Sequence, residues 1–423
     1  MPASVCAQLH AASPQEEHTQ QLATQPSPAP RTGNAKKTNQ QGDIQVELLT
    51  CSPGDLIYEL YGHTALRITT PDDDLVYNFG VFDETQSHFV WRFMLGKTDY
   101  MVLPCPYYLF EQSYIDRGSS ITSLRINFTQ EEAQRLLEMM KDRSSKEKRT
   151  YRYNFFSNNC TTNTRDVIEA VIDGTIVYAP LAKERKLTTR ESLHEYTAGS
   201  PWAELGNDLL IGAACDTILS DRSAQFLPFH LFDAFQNATI VGFGNNGVEE
   251  RREPLVAGEP VVLLEARDVP HGAGFPVTPL VCSLIFLAVL LGIFALEYWL
   301  KRIFWIFDML LMPGIGLCGL LVTFMTLFSD HPTVSSNWQV WIYNPLPLLC
   351  MPWVVVCAYR RKRCAYHYLN AGLLLSFLIA SPWIPQHFAV ITLPLAVALL
   401  TRPASYIINF PRLSQGKRKG KKK

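Results

Sequence analysis

The sequence predicts an α+β soluble domain followed by an all-α membrane domain of about five transmembrane helices. Three observations predict this. Up to about Pro276, apolar and polar residues mix at strand and helix spacings. From Thr278 to Phe410 almost every window of roughly twenty residues is apolar, with charges only at the joints. The whole-chain averages, 18% charged and 47% hydrophobic with a net charge of -1, conceal this division, because the basic excess is confined to the C-terminal end. The ten cysteines make neither a disulfide framework nor a metal cluster. Cys282, Cys318, Cys350, Cys357 and Cys364 lie in or beside the apolar half, and the others are too widely spaced for a ligand set. No metal or cofactor is expected.

Residues 1–42, rich in Gln, Ala, Pro, Ser and Thr, are expected to form a disordered leader, since they hold few large apolar side chains to offset chain entropy. They contain no apolar run of signal-peptide length, and Val5–Ala12 reads as the remnant of an export signal that begins upstream. The soluble domain, residues 43–272, opens with the alternating strand Ile44–Thr50. Cys51-Ser52-Pro53-Gly54-Asp55 breaks it, and a short helix is expected through Tyr61. His63–Thr70 and Leu75–Phe82 alternate on either side of Pro71-Asp72-Asp73-Asp74 and read as a hairpin with His63 at its mouth. Leu124–Phe128 reads as a strand. Thr129 then caps a helix, with Glu132 as its capping-box partner and Leu136, Leu137 and Met140 on the inner face. Beyond the charged loop Asp142–Arg149, Tyr151–Phe156 leads through Ser157-Asn158-Asn159 into a helix with Val167, Ile168, Ala170 and Val171 on its inner side. Cys160 therefore stands at a helix N-terminus.

That position carries chemistry. The positive end of a helix favours an anion, so a thiol there ionises more readily, and the thiolate is the nucleophilic form. A histidine delivered by a strand completes a Cys-His pair of the kind used in acyl transfer, activating the thiol and then managing the proton of the leaving group. His63 is the candidate. Taken singly, each residue has a plainer reading, as a small core hydrophobe and a structural histidine. Asn78 is the candidate to orient His63: in a symmetric hairpin the two share a face, and a slip of one residue would part them. Asp74 is the alternative. Arg67, Lys97 and Arg117 are candidates for binding a lipid phosphate, beside the reading that each is a solvated surface charge.

Several motifs in order resemble one family. They are Leu48-Leu49-Thr50-Cys51-Ser52-Pro53-Gly54, Tyr61-Gly62-His63-Thr64-Ala65-Leu66-Arg67, Val76-Tyr77-Asn78-Phe79-Gly80, Gly96-Lys97-Thr98-Asp99-Tyr100 and Phe155-Phe156-Ser157-Asn158-Asn159-Cys160-Thr161-Thr162. Asp208-Leu209-Leu210-Ile211-Gly212, Phe226-Leu227-Pro228, Asp233–Ala238, Asp330-His331-Pro332 and Asn344-Pro345-Leu346 extend the likeness, so that it runs from about Val46 to Arg402. Together they resemble the Lnb-type lipoprotein N-acyltransferases. The resemblance implies a permuted papain fold of the NlpC/P60 kind, in which the strand histidine precedes the helix-start cysteine. Cys160 would be the nucleophile and His63 the base. The implied partners are a phospholipid acyl donor, a lipoprotein acceptor and the membrane, with no nucleic acid. A cell-wall peptidase or amidase using the same Cys-His pair is the alternative.

In the membrane domain, residues 273–410, the expected spans are 278–300, 303–328, 340–359, 366–383 and 388–408. Lys301-Arg302, Arg360-Arg361-Lys362-Arg363 and the basic tail within 411–423 fall at alternate ends of these spans. Five crossings then place all three groups in the cytoplasm and the soluble domain in the periplasm of an inner-membrane protein. Asp308, inside the second span, is expected to snorkel toward Lys301 or Arg302. His331, in the loop Asp330-His331-Pro332, falls on the periplasmic side and is a candidate for a substrate headgroup, beside the reading as an interfacial loop residue.

Overall fold

A computed structural model describes residues 43–82, 87–180, 186–243, 248–267, 275–360 and 362–420; the leader expected over 1–42 lies outside them. In chain order the elements begin with β1 (Gln45–Cys51), β2 (His63–Thr69), β3 (Asp74–Val81), α1 (Phe89–Met94), β4 (Asp99–Pro106), α2 (Tyr107–Arg117) and β5 (Ile121–Arg125). There follow α3 (Gln130–Arg143), β6 (Thr150–Arg152), α4 (Cys160–Glu169), β7 (Thr175–Val177), α5 (Thr189–Thr197), α6 (Pro201–Leu210), α7 (Asp221–Ala224) and α8 (Pro228–Gln236). The last are β8 (Thr239–Phe243), β9 (Glu249–Pro254), β10 (Val261–Leu264), α9 (Pro279–Leu300), α10 (Trp305–Phe328), α11 (Leu346–Arg360), α12 (Ala365–Ala380) and α13 (Thr392–Gly420). The chain divides into two compact units, one of residues up to 186 together with 219–271, the other of 187–218 together with 272 onward.

The first unit is built on an antiparallel sheet in the order β10-β5-β1-β2-β3-β4-β6, with a smaller sheet β7-β8-β9. Strand residues alternate between two faces. On one, Leu48, Leu66, Ile68, Tyr77 and Phe79 pack with Leu136 and Met140 of α3, Val167 and Ile168 of α4, and Phe235 of α8. On the other, Leu49, Cys51, Ala65 and Val76 pack with Phe110 and Tyr114 of α2. The expected hairpin forms with Leu66 opposite Tyr77 and Thr69 opposite Asp74, the symmetric register. The capping box at Thr129 and Glu132 also forms. Other local expectations shift. Residues 55–61 make turns and bends without a helix, and β5 runs from Ile121 to Arg125.

Among the described residues of the second unit, four stretches are long and apolar enough to cross a bilayer: Pro279–Leu300, Trp305–Phe328, Trp338–Arg360 and Thr392–Pro411. The fourth expected span is the 16-residue α12. With the 3-10 turn Ser381–Trp383 that continues it, at about 1.5 and 2.0 Å per residue, it rises about 30 Å, the thickness of the hydrocarbon layer. The basic end does not break from the last span, because α13 runs on to Gly420.

Asp308 departs from expectation. It is buried and accepts from Arg402 Nε at 2.6 Å, while both terminal nitrogens of Arg402 reach Glu297, at 3.0 and 3.1 Å. A buried acid needs a fixed partner more than a flexible surface one, and Arg402 lies 94 residues along the chain.

The two units part at residue 272, and residues 187–218 pack with the second. Arg190, buried between acids, donates to Asp208 and Asp216 at 2.7 Å each. The Gly212 N–H donates to the Thr333 carbonyl at 2.8 Å and the Asn337 amide to the Leu209 carbonyl at 2.9 Å. The Gln339 amide donates to the backbone of Asp208. The segment's sequence reads as ordinary soluble helix and loop, so its partners are invisible until the chain folds.

Candidate active site

The site begins with a turn. Asn154 and Asn158 exchange backbone hydrogen bonds at 3.1 and 2.9 Å, and Asn154 Oδ1 accepts from the Phe156 and Ser157 N–H groups. Asn159 then caps α4: its side chain accepts from the Thr162 N–H at 2.8 Å, and the Thr162 hydroxyl accepts from the Asn159 N–H at 2.9 Å. The Asn159 amide also donates to the carbonyls of Phe155 and Phe226, at 2.7 and 2.8 Å, which anchors the cap. Cys160 is thereby held as the first helical residue, where backbone N–H groups have no partner in the helix ladder. Gly80 opposes it across a bulge in the β3–β4 pairing. Gly80 has φ +93, and a Cβ there would lie 3.8 Å from Cys160 Cβ.

His63 is the first residue of β2, and Asn78 of β3 lies on the same face. The His63 Nε2 to Asn78 Oδ1 distance is 2.6 Å. His63 also faces Cys160 and hydrogen-bonds it. Thr161, next in α4, bonds the Thr64 hydroxyl at 3.1 Å, which ties the helix start to the strand that carries the histidine. Burial works against ionising Cys160, but the charge of His63 and the bond to it, helped by the Thr64 backbone and the Thr161 hydroxyl, bring the thiol down to about 7. Burial likewise works against protonating His63, yet the facing Cys160 and the bond to Asn78 raise its pKa above the usual value. Cys51, wholly buried, is pushed by burial up to about 12.

The three expected residues thus come together in one pocket, walled by Tyr58, Phe82, Tyr100, Tyr153, Phe155 and Phe226. Arg117 also lines it, held by Glu59 at 3.2 Å and by the Ser119 hydroxyl at 2.8 Å. Arg67 does not line it: its guanidinium meets Asp74 at 2.7 and 2.8 Å and Glu47 at 3.1 Å, over the Tyr107 ring. This removes Asp74 as an alternative partner for His63. Lys97 is exposed and outside the lining, and His331 belongs to the second unit. Sequence reasoning missed the aromatic wall and the Thr64–Thr161 link. Their one signal was position beside or within the motifs, as for Thr64, Tyr100, Phe155 and Phe226.

Fold and site together define a membrane protein whose mixed α/β domain presents a thiol, an imidazole and an amide in line, and whose C-terminal part is helical and apolar. Residues 31–193 match the Lnb N-terminal periplasmic domain and residues 271–412 the Lnb transmembrane domain. The chain belongs to the Lnb-type lipoprotein N-acyltransferase family. No curated protein and no solved structure matches it.

Proposed function

We propose that this protein is a membrane-bound acyltransferase that moves a fatty acyl chain from a phospholipid to the α-amino group of the N-terminal diacylglyceryl-cysteine of lipoproteins, through a thioester on Cys160. The observation that carries the reading is the Cys160–His63–Asn78 line in an aromatic pocket. The Cys160 thiolate attacks the ester carbonyl of the phospholipid, and the N–H at the start of α4 faces the oxyanion that develops. The C–O bond to glycerol breaks, the His63 imidazolium protonates the departing alkoxide, and a lysophospholipid leaves. The acceptor amine then attacks the thioester, His63 takes its proton, and the C–S bond breaks to return the thiolate. Asn78 keeps His63 in the tautomer and orientation for both transfers. A free α-amino group has a pKa near 8, so an appreciable fraction is neutral at pH 7 and able to attack. No cofactor enters this scheme.

The permuted papain-like fold belongs to the same reading, supported by a helix-start cysteine packed beside a strand histidine that precedes it. So does an inner-membrane location with the basic end of α13 in the cytoplasm. Mass spectrometry of a lipoprotein N-terminus from cells with the gene, without it, and with Cys160→Ser tests the reaction. The N-linked acyl chain is expected only with the wild-type gene, and its presence with Cys160→Ser would sink the thioester route. The peptidase or amidase alternative uses the same pair, and release of wall peptides by purified protein without lipoprotein acylation would favour it.

A further inference from the structure

Two segments at the pocket present apolar side chains outward. In the turn between β1 and β2, Leu56, Ile57 and Tyr58 are exposed, Ile57 by 73%. The helix α1, with sequence Phe89-Val90-Trp91-Arg92-Phe93-Met94, buries none of its side chains and exposes Val90 by 70%. Rings join both segments to the pocket. Tyr58 and Phe82, which line it, lie 6.3 Å apart; Phe82 stacks on Phe89 at 5.4 Å, and Phe89 meets Phe93 at 6.3 Å. The result is a continuous apolar path from Cys160 to a lip of Leu56, Ile57, Val90, Trp91 and Phe93.

Leaving such a surface in water costs about 25 cal/mol for each Å² of apolar area, so a cluster of this kind marks a contact. Its chemistry fits lipid. Trp, Phe and Tyr with aliphatic neighbours are the side chains that settle at a bilayer interface. The charges within the lip are turned aside: Arg92 pairs with Asp99 at 2.7 Å and Glu59 is buried against Arg117. Exposed Lys97 follows α1 and suits lipid phosphates. The same chain carries apolar helices long enough to cross a bilayer.

We propose that this lip inserts into the phospholipid surface and that a lipid acyl chain travels along Phe82 and Tyr58 to Cys160 without crossing water. The purpose of the path rests on the acyl-transfer reading; the lipid contact itself does not.

Full-length protein in vesicles of phosphatidylethanolamine and phosphatidylglycerol, carrying photoreactive benzoylphenylalanine in place of Ile57 or of Val90, tests the contact. Exposed Phe243, at the end of β8, is the control position. Phospholipid crosslinks at 57 and 90 should exceed those at 243 several-fold. Equal labelling, or crosslinks to protein alone, would overturn the proposal. Kinetics test the path: Ile57→Ser combined with Val90→Ser should raise KM for a long-chain phospholipid donor several-fold with kcat nearly kept. An unchanged KM, in protein whose Cys160 still reacts with iodoacetamide as in the wild type, would overturn the path. If the wild type transfers acyl groups from no donor, the acyl-transfer reading fails, and the crosslinking still decides the lip.

Discussion

Cys160 and Cys51 lie in one domain, yet their surroundings drive their thiols in opposite directions, to about 7 and about 12. Iodoacetamide should therefore modify Cys160 with a rate that rises through pH about 7, while Cys51 stays unmodified at any pH where the protein is folded; mass spectrometry of the peptides reads both. His63→Ala leaves burial opposed only by the Thr64 backbone and the Thr161 hydroxyl, so the Cys160 midpoint should move up toward the free-thiol value or beyond, and transfer should fall about 10²- to 10⁴-fold. Asn78→Ala removes a bond that favours the charged imidazole, so the His63 pKa should fall and kcat should drop by about tenfold or more, 1.4 kcal/mol of barrier being tenfold. An unchanged pH–rate profile would count against the orienting role. At this scale much was legible: the helix start placed Cys160, and a symmetric hairpin put Asn78 on the face of His63. The roles of the arginines were not, because a guanidinium in a sequence does not disclose its acid. Arg67 found Asp74 and Glu47.

Elements hold these residues in place. The Asn159 cap supports α4 and bridges to two carbonyls outside it, so Asn159→Ala should destabilise the domain by about 1 kcal/mol or more, read as a lower Tm, and slow Cys160 alkylation. The bulge at Gly80 lets β3 pass beside the cysteine, and φ +93 makes any side chain there strained. Gly212 is small for another reason: a Cβ would come within 2.3 Å of the Ser335 carbonyl oxygen. The motifs containing both glycines were visible in the sequence. Why they must be glycine was not, since one answers to a local twist and the other to a chain segment more than a hundred residues away.

Over the whole molecule, the basic groups predict that a reporter fused after Lys423 acts only as a cytoplasmic reporter and that a tag in Asp142–Arg149 is labelled from the periplasm. The opposite pattern would remove exported lipoproteins as substrates. Truncation before Gly272 should leave residues 187–218 without Thr333, Asn337 and Gln339 to bond them, so limited proteolysis should cut there while Cys160 still reacts with iodoacetamide. Sequence alone determined what depends on neighbours along the chain: apolar runs long enough to span a bilayer, helix caps, the hairpin register, and with them the cysteine and its histidine. Only the tertiary structure decided what depends on partners distant in sequence. It set Arg402 between Glu297 and Asp308 and carried residues 187–218 to the second unit. A buried charge or carbonyl takes whichever partner packing brings within about 3 Å, and chain order places no limit on which residue that is.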